Sequence, residues 1–271
     1  MRVTIADNAG FCFGVKRAVD VALKEKDSFS LGPLIHNPQT IKELERRGIK
    51  AVNSIEDINK GTLLIRTHGI PKSVIKKAEE KGLNVVDLTC PFVKNAQNFA
   101  KDFYNRGYKV IIIGEANHPE VIGIKGNIKG ASVVENIEDA KKISFHNKIG
   151  VVVQTTQSMD TVNDITNKLK ERCNELKIAE TICNATTERQ DFARELAKRV
   201  DLMIVIGGKE SANTRRLFEM CNSRVETKFV ESLSDLRERW FKNKSHIGIT
   251  AGASTPRWLI KKIAEKIKNE F

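Results

Sequence analysis

Apolar residues in this chain follow two alternating spacings. Unbroken runs such as "VIIIG", ending at Gly114, and "LMIVIG", ending at Gly207, are typical of strands covered on both faces. Between such runs, apolar residues recur three, four, seven and eight positions apart, as from Phe92 to Phe103, and this spacing predicts one-sided helices. The alternation of strand and helix predicts parallel α/β units.

The same order of elements occurs three times. Each of Cys12, Cys90 and Cys183 precedes a predicted helix and then a strand that ends in glycine. That glycine stands 24 positions after both Cys90 and Cys183, whereas in the first repeat a shorter strand ends at Gly32. We therefore predict an α/β protein of three similar units with mainly parallel sheets around a pseudo-threefold axis, at residues 1–89, 90–182 and 183–271.

The later part of each repeat also matches. A short strand is followed by a predicted helix start at Ser54, Asn136 or Ser232, side chains that commonly accept hydrogen bonds from the first helical amides. Further strands, "NVVDLT" and "IAETI", are predicted directly before Cys90 and Cys183, and "VTIAD" is their N-terminal counterpart before Cys12. Cys173 and Cys221 fall in predicted helices away from loop edges, so we expect both to be ordinary, partly buried residues.

Composition narrows the class of protein. The apolar runs are too short to cross a bilayer and the chain opens on a strand pattern, so we expect a cytoplasmic protein without a membrane partner. The net charge of +12 suits an anionic partner such as a phosphorylated metabolite or an acidic electron-transfer protein. Because the lysines lie beside glutamates and only two Tyr and two Trp are present, we expect no nucleic-acid site.

Three repeat-equivalent cysteines favour metal binding over three inert buried thiols. A helix N-terminus favours the thiolate, which is the form that binds metals. In parallel α/β units, the loops after the strands gather at one edge, so Cys12, Cys90 and Cys183 are expected to face a central cluster cavity. Three thiolates can hold three irons of a 4Fe-4S cluster and leave one iron open, or can hold zinc, and spacing alone leaves both open.

The same edge carries polar side chains suited to an anion. Imidazoles, hydroxyls and backbone amides at helix starts can bind a phosphate or diphosphate. Glu120 is the one carboxylate there, either as a general acid beside His118 or Thr155, or simply as a complement to a helix dipole. His146 and His246 are expected to be ordinary residues. The candidate anion-binding residues are His36, His68, His118, Thr155, Thr156, Ser211, Asn213 and Ser254.

Nine motifs in order give the whole chain a resemblance to the IspH/LytB family of 4-hydroxy-3-methylbut-2-enyl diphosphate reductases. These motifs are "GFCFGVKRAV", "GPLIHNPQ", "RTHGIP", "DLTCPFV", "GEANHPEVIG", "VVQTT", "ICNATTERQ", "GGKESANTRRL" and "ITAGAS". The resemblance implies three α/β domains around one iron-sulfur cluster. It also implies reductive removal of the allylic hydroxyl, with formation of isopentenyl and dimethylallyl diphosphate in the last step of the non-mevalonate pathway. The implied electron donor is a ferredoxin or flavodoxin.

The resemblance also assigns roles to residues. Cys12, Cys90 and Cys183 match the ligands of one 4Fe-4S cluster per chain with one open iron. Glu120 matches the proton donor, with His118 near the substrate and Thr155 at its hydroxyl end. The residues that match the diphosphate site are His36, His68, Ser211, Asn213 and Ser254, together with Ala212, which stands where the family usually has a second serine.

Two other functions compete with this one. A non-catalytic sensor could use the same cluster for regulation, and it would be indifferent to the loss of the Glu120 carboxylate. An RNA-binding protein driven by the +12 charge would show steeply salt-dependent binding that persists without Cys90.

Overall fold

The structure, a computed structural model, describes residues 1–270 and contains twelve strands and ten α-helices in that range. The strands are β1 (Arg2–Ile5), β2 (Ser28–Leu31), β3 (Ile49–Val52), β4 (Thr62–Ile65), β5 (Asn84–Asp87), β6 (Lys109–Ile113), β7 (Ser132–Val134), β8 (His146–Val153), β9 (Cys173–Ile178), β10 (Leu202–Ile206), β11 (Thr227–Val230) and β12 (His246–Ala251). The helices are α1 (Phe13–Ala22), α2 (Pro38–Arg46), α3 (Lys72–Glu80), α4 (Pro91–Asn105), α5 (Pro119–Lys125), α6 (Ile137–Lys141), α7 (Met159–Lys170), α8 (Asn184–Ala197), α9 (Ala212–Asn222) and α10 (Arg257–Glu270). No helix within this range is both long enough and apolar enough to span a bilayer.

The strands form three parallel sheets of four strands with the same internal order. These orders are β3-β2-β4-β5, β7-β6-β8-β9 and β11-β10-β12-β1. In each sheet, the second strand is the one that follows α1, α4 or α8, the helices that begin directly after Cys12, Cys90 and Cys183. The strand at the far edge is the one that precedes one of these cysteines, namely β5, β9 or β1. The prediction of three similar parallel α/β units is therefore confirmed.

One strand joins the two ends of the chain. β1 pairs in parallel with β12, from Arg2 opposite His246 to Ile5 opposite Ile249. It takes the edge position that β5 and β9 take in the other two sheets. The hydrogen bonds thus place β1 in the sheet of the last third of the chain. The sequence division at residues 89 and 182 stays a prediction, and it does not describe the membership of this strand.

The central strands are buried because helices cover both of their faces. All five residues of β10 are buried, as are the last five of β8, whereas the ends of the edge strands β1 and β5 are exposed. Gly150 in β8 is required by the covering helix α4, since a Cβ there would lie 2.5 Å from the ring of Phe103. The unbroken β-branched runs correspond to these buried strands, as their pattern predicts.

The chain divides into two compact units. The first comprises residues 1–20, 35–48 and 184 onwards, and its core packs Ile204 and Ile249 of the β11-β10-β12-β1 sheet with Ile263 of α10. The second comprises residues 21–34 and 49–183 and contains the other two sheets. Its core includes Ile112 of β6 and Ala96 of α4.

The three predicted helix caps are present. The side chain of Ser54 accepts from the amide of Glu56, and the side chain of Asn136 accepts from the amide of Asp139. Ser232 forms a capping box with Asp235. The capped elements are short, because Ile55–Asp57 and Leu233–Asp235 are 3-10 turns and α6 has only five residues.

The predictions around Cys173 are wrong in their secondary structure. Helix α7 ends at Lys170, and Cys173 begins strand β9 instead of continuing the helix. The strand predicted at "IAETI" lies upstream, at Cys173–Ile178, so that only a loop separates Ile178 from Cys183. Pairing decides the difference, because β9 adds to the long strand β8 over a register from His146 opposite Cys173 to Val151 opposite Ile178.

Candidate active site

The three repeat-equivalent cysteines occupy the same backbone position. Each directly precedes the first residue of a helix, namely α1, α4 or α8. The amide of Cys12 donates to the carbonyl of Ala253 at 3.2 Å, that of Cys90 to Thr67 at 3.0 Å and that of Cys183 to Thr155 at 3.0 Å. Each acceptor lies two residues beyond the end of the strand, β12, β4 or β8. One hydrogen bond in each repeat thus ties a cysteine to the loop edge of its sheet.

The environment of these cysteines suits metal ligands. All three are partly exposed, and the sulfur of Cys12 accepts from the amide of Val15 at 3.5 Å. A hydrogen bond from a helix amide stabilises negative charge on sulfur. Within residues 1–270, no three His, Cys, Asp or Glu side chains surround a point that could hold a single metal ion. In a 4Fe-4S cluster each cysteine binds a different iron, so its ligands need not surround one ion.

The other two cysteines belong to hydrophobic cores. Cys221 is fully buried, and burial raises the pKa of its thiol to about 12. Cys173 packs against the core beside β8, and burial raises the pKa of its thiol as well. A raised pKa keeps both thiols protonated at neutral pH, and the thiolate is the form that binds metals. Their expected role as ordinary buried residues is consistent with this packing.

In the first compact unit, three polar loops meet. The hydroxyl of Ser254 donates to the carbonyl of His36 at 3.0 Å. The loop before α9 lies against the same carbonyl, because a Cβ added to Gly208 would stand 2.5 Å from it. Ser211 caps α9 by accepting from the amide of Thr214. The amide of Cys12 bonds to Ala253, next to Ser254, so this cysteine shares the edge with the polar loops.

Asn213, in the first turn of α9, gives the clearest indication that these loops bind a ligand. It is only 5 % exposed, yet neither its amide nitrogen nor its amide oxygen has a hydrogen-bond partner in the described part of the chain. A buried polar group without a partner costs about 1–3 kcal/mol. Such a group at a helix N-terminus is suited to a polar ligand, and an anion gains there from the helix dipole.

In the second compact unit, Glu120 and Thr155 form a buried pair. The carboxylate is 1 % exposed and Thr155 is 6 % exposed. The Thr155 amide donates to Oε1 at 2.7 Å, and its hydroxyl donates to Oε2 at 2.8 Å. Because the Thr155 carbonyl accepts from the Cys183 amide, one residue connects the carboxylate to a cysteine loop.

Two histidines lie beside this pair. The rings of His68 and His118 meet edge to face with their centroids 5.4 Å apart. His118 caps α5, and its Nδ1 accepts from the amide of Glu120 at 3.2 Å. An Nδ1 that accepts a hydrogen bond carries no proton, so the proton of the neutral ring is on Nε2. The structure therefore brings together Glu120, His118 and Thr155, which the sequence predicts to be neighbours, and it places His68, a predicted anion-binding residue, beside His118.

Several supporting residues, among them Gln154, are not predicted from the sequence. Gln154 is fully buried, its Oε1 accepts from the amide of Glu115 at 2.9 Å, and its Nε2 donates to the hydroxyl of Thr156 at 2.8 Å. It thus holds the loop before His118 against the loop of Thr155. Gln154 directly follows β8, at the sheet edge where the repeats place the other site residues, and this position could have identified it from the sequence.

Arg189 is a second such residue. It is 3 % exposed and donates to the carbonyl of Gly10 at 2.8 Å, which ties α8 to the loop before Cys12. With Cys12 and Arg257 it lines a polar cavity of about 140 Å³ in the first compact unit. An arginine between Glu188 and Gln190 gives no distinctive sequence pattern, because charged and polar residues are common on exposed helix faces.

The remaining histidines are outside these groups. The Nε2 atom of His246 shares a hydrogen bond of 2.9 Å with the hydroxyl of Thr4, between two neighbouring strands. His146 begins β8 and shares one with Ser144 at 3.1 Å. Both contacts are compatible with the ordinary roles that the sequence predicts.

Comparisons with known proteins agree with each other. A family model described as "LytB protein" matches residues 3–268. A 4-hydroxy-3-methylbut-2-enyl diphosphate reductase of Alkaliphilus oremlandii is 43% identical over 99% of this chain and 100% of its own length. The protein of the same name from Geobacter sulfurreducens is 44% identical over 99% of this chain and 97% of its own.

Two solved structures are also similar over 99% of this chain. One is (E)-4-hydroxy-3-methyl-but-2-enyl diphosphate reductase, described as the terminal enzyme of the non-mevalonate pathway, with a TM-score of 0.72, 39% identity and 99% of its chain covered. The other is the E-1-hydroxy-2-methyl-but-2-enyl-4-diphosphate reductase of Plasmodium falciparum, with a TM-score of 0.94, 31% identity and 88% of its chain covered.

Proposed function

Because the chain belongs to the LytB protein family, we propose that it is a reductase that removes the hydroxyl group of 4-hydroxy-3-methylbut-2-enyl diphosphate. The relatives that carry this name match 99% of the chain. The products are isopentenyl and dimethylallyl diphosphate, at the last step of the non-mevalonate pathway. The buried Glu120–Thr155 pair, bonded through Thr155 to the Cys183 loop, is the observation that carries the proposal.

The proposed cofactor is one 4Fe-4S cluster per chain, bound by Cys12, Cys90 and Cys183 with one iron left open. The equal backbone setting and partial exposure of the three cysteines support this assignment. Their thiolate chemistry fits iron and sulfide better than it fits a core-packing role. When bound, such a cluster supplies electrons and a Lewis-acidic iron.

The overall reaction sets what the protein side chains must do. Reduction of an allylic alcohol breaks the C–O bond, forms a C–H bond and releases water, and it consumes two electrons and two protons. The protons must reach a buried site, because a reactive allylic centre has to be shielded from solvent. We assign their delivery to Glu120, which is buried and within hydrogen-bonding reach of Thr155.

Thr155 holds the carboxylate of this acid in place. Two hydrogen bonds from Thr155 fix both carboxylate oxygens, and the Glu120 amide fixes the His118 ring through Nδ1. We propose that His118 lies near the substrate. Thr155 is proposed to orient the hydroxyl end of the substrate through the same hydroxyl that contacts Glu120.

The diphosphate is proposed to bind to hydrogen-bond donors instead of a cluster of lysines. Neutral donors at helix starts stabilise phosphate oxygens and gain from the helix dipole. At position 212 alanine offers only its backbone amide, at the first residue of α9, so one side-chain hydroxyl contact is lost relative to a serine. The proposed residues are His36, His68, Ser211, Ala212, Asn213 and Ser254.

The electron donor is proposed to be a ferredoxin or flavodoxin, which are acidic one-electron carriers. A net charge of +12 favours association with such a protein. We propose a cytoplasmic location and no role for nucleic acid or a membrane.

The test is anaerobic purification, followed by iron and sulfide analysis and turnover of the allylic diphosphate with a reduced dye. The Glu120→Gln variant should keep its iron and lose turnover, because the amide cannot donate a proton as a carboxylic acid does. Glu138→Gln, on the exposed face of α6, is the matched control and should keep both. If the protein were a regulatory sensor, Glu120→Gln would leave its function unchanged. Cluster-loaded wild-type protein that does not turn over the allylic diphosphate would refute the proposal.

A further inference from the structure

Asn37 has a second functional group that its structural role does not use. It is fully buried between His36 and helix α2. Its Oδ1 atom accepts from the amides of Gln39 and Thr40, each at 3.1 Å, and from the hydroxyl of Thr40 at 3.3 Å. Backbone amides only donate, so the atom that faces them must be the oxygen. The cap therefore determines the orientation of the Asn37 amide.

The nitrogen of this amide, Nδ2, takes no part in the helix cap. Since the amide group is planar, an oxygen turned towards the start of α2 directs Nδ2 away from the helix amides. Nδ2 is buried and has no hydrogen-bond partner in residues 1–270. An unmet buried donor is costly, and capping does not require it, because serine and aspartate cap a helix as well as asparagine. We therefore expect a bound ligand to supply the hydrogen-bond acceptor for Nδ2.

The surroundings of Asn37 indicate what that acceptor is. The preceding residue, His36, accepts from the hydroxyl of Ser254, and the following residue, Pro38, lies within 3.3 Å of the Cβ position of Gly208. Asn37 thus lies in the same loop edge of the first compact unit as Asn213. The side-chain amide of Asn213 is a second buried amide group that has no hydrogen-bond partner among residues 1–270. The same edge carries Ser211 and Ser254, which with Asn213 are proposed to bind the diphosphate, so the acceptor is expected to be a diphosphate oxygen.

We propose that Nδ2 of Asn37 donates a hydrogen bond to an oxygen of the bound diphosphate. Asn37 is then a substrate-binding residue with two roles, since Oδ1 holds the helix and Nδ2 holds the ligand. The identity of the anion rests on the proposed function. The extra donor also offsets the hydroxyl that is missing at Ala212, although the two need not contact the same oxygen.

The test separates the two roles of one side chain. In Asn37→Asp an oxygen remains for the cap, while the donor becomes a second carboxylate oxygen. Anaerobically purified, cluster-loaded protein is titrated with inorganic diphosphate by calorimetry at constant ionic strength. We expect the Kd to rise by at least about 10- to 100-fold, which is the effect of one hydrogen bond to a charged group. With the allylic substrate, KM should rise while kcat changes little.

The chain supplies a matched control. Asn136 caps α6 through its Oδ1, which accepts from the amide of Asp139 at 3.0 Å, and it is exposed. The same substitution, Asn136→Asp, should leave the Kd unchanged. Asn37→Ser is the second variant, because a buried carboxylate can itself destabilise the loop. Serine keeps a capping oxygen but does not reach as far, and the Kd should rise about tenfold.

The outcomes distinguish this proposal from the proposed function. If Asn37→Asp and Asn37→Ser melt like wild type and bind diphosphate with wild-type affinity, Asn37 is a cap only and the proposal is overturned, whatever the enzyme does. Wild-type protein that fails to bind diphosphate overturns it too. If both variants bind diphosphate weakly but the wild-type protein does not turn over the allylic substrate, Asn37 is supported as an anion ligand and the reductase assignment fails.

Discussion

Removal of the Thr155 hydroxyl tests the proton-transfer site most directly. In Thr155→Val a methyl group replaces the hydroxyl and the side chain keeps its branching at Cβ, at a position that is 6 % exposed. It deletes the donor that lies 2.8 Å from Oε2 of Glu120 and keeps the amide that lies 2.7 Å from Oε1. The carboxylate then loses this hydrogen bond at Oε2 and keeps the one from the Thr155 amide at Oε1.

The expected magnitude follows from the charge of the acceptor. A hydrogen bond to a charged group contributes about 1.5–3 kcal/mol. Each 1.36 kcal/mol lost from the transition state is about a tenfold loss of rate, so kcat should fall about 10- to 100-fold. We expect iron content to stay at the wild-type level, because the Thr155 carbonyl that accepts from the Cys183 amide is unchanged.

The assay is steady-state turnover of the allylic diphosphate with a reduced dye, normalised to iron per chain. Thr155→Ser restores the hydroxyl without the methyl group and should recover most of the rate. Thr166→Val is the matched control in the same compact unit, because its buried hydroxyl donates to the carbonyl of Val162 within helix α7.

Two results would refute this reasoning. If Thr155→Val keeps kcat within about twofold of wild type, the hydroxyl does not hold Glu120 for the reaction. If Thr155→Ser is as slow as Thr155→Val, the rate depends on the methyl group and not on the hydrogen bond. Equal losses in Thr166→Val would show a general effect of destabilising the unit.

Three further predictions address the cluster, the packing and the pH dependence of stability. Cys90→Ser should lose iron on anaerobic purification, whereas Cys173→Ala should keep a full iron content, because Cys173 packs in a core and burial raises the pKa of its thiol. Gly252→Ala should lower stability by about 1–3 kcal/mol in denaturant unfolding, since a Cβ there would lie 2.0 Å from the hydroxyl of Thr214; an unchanged midpoint would contradict the packing. Asp201 accepts from the hydroxyl and amide of Ser245 and from the next amide, and these bonds lower its pKa from 3.8 to about 2. Because the pKa of Asp201 is lowered, its carboxylate stabilises the fold above pH 3.8, and this stabilisation is lost as the pH falls towards 2. Asp201→Ala should therefore have a lower Tm than wild type at pH 7, and the difference in Tm should disappear between pH 3.8 and pH 2.

Local patterns predicted most of the architecture. The repeated spacing from Cys90 and Cys183 to a strand-ending glycine identified equivalent elements, and the three sheets have one strand order. Helix caps such as Asn136 follow from residues within one turn, so the pattern contains them. The prediction for Cys173 was wrong because strand pairing with β8, a contact across the sheet, overrode a helical spacing that continued past Lys170.

Amino-acid order by itself therefore determined the alternation of strand and helix, the threefold repetition and the place of each cysteine at the start of a helix. These depend on residues near each other in sequence, whose periodicity decides which face is buried. Tertiary structure alone decided that β1 completes a sheet with β12, that Glu120 meets Thr155, and that the side-chain nitrogen of Asn37 is buried without a partner among the residues the structure describes. Hydrogen-bond satisfaction of a buried group depends on atoms brought together from distant segments, and no local spacing records it.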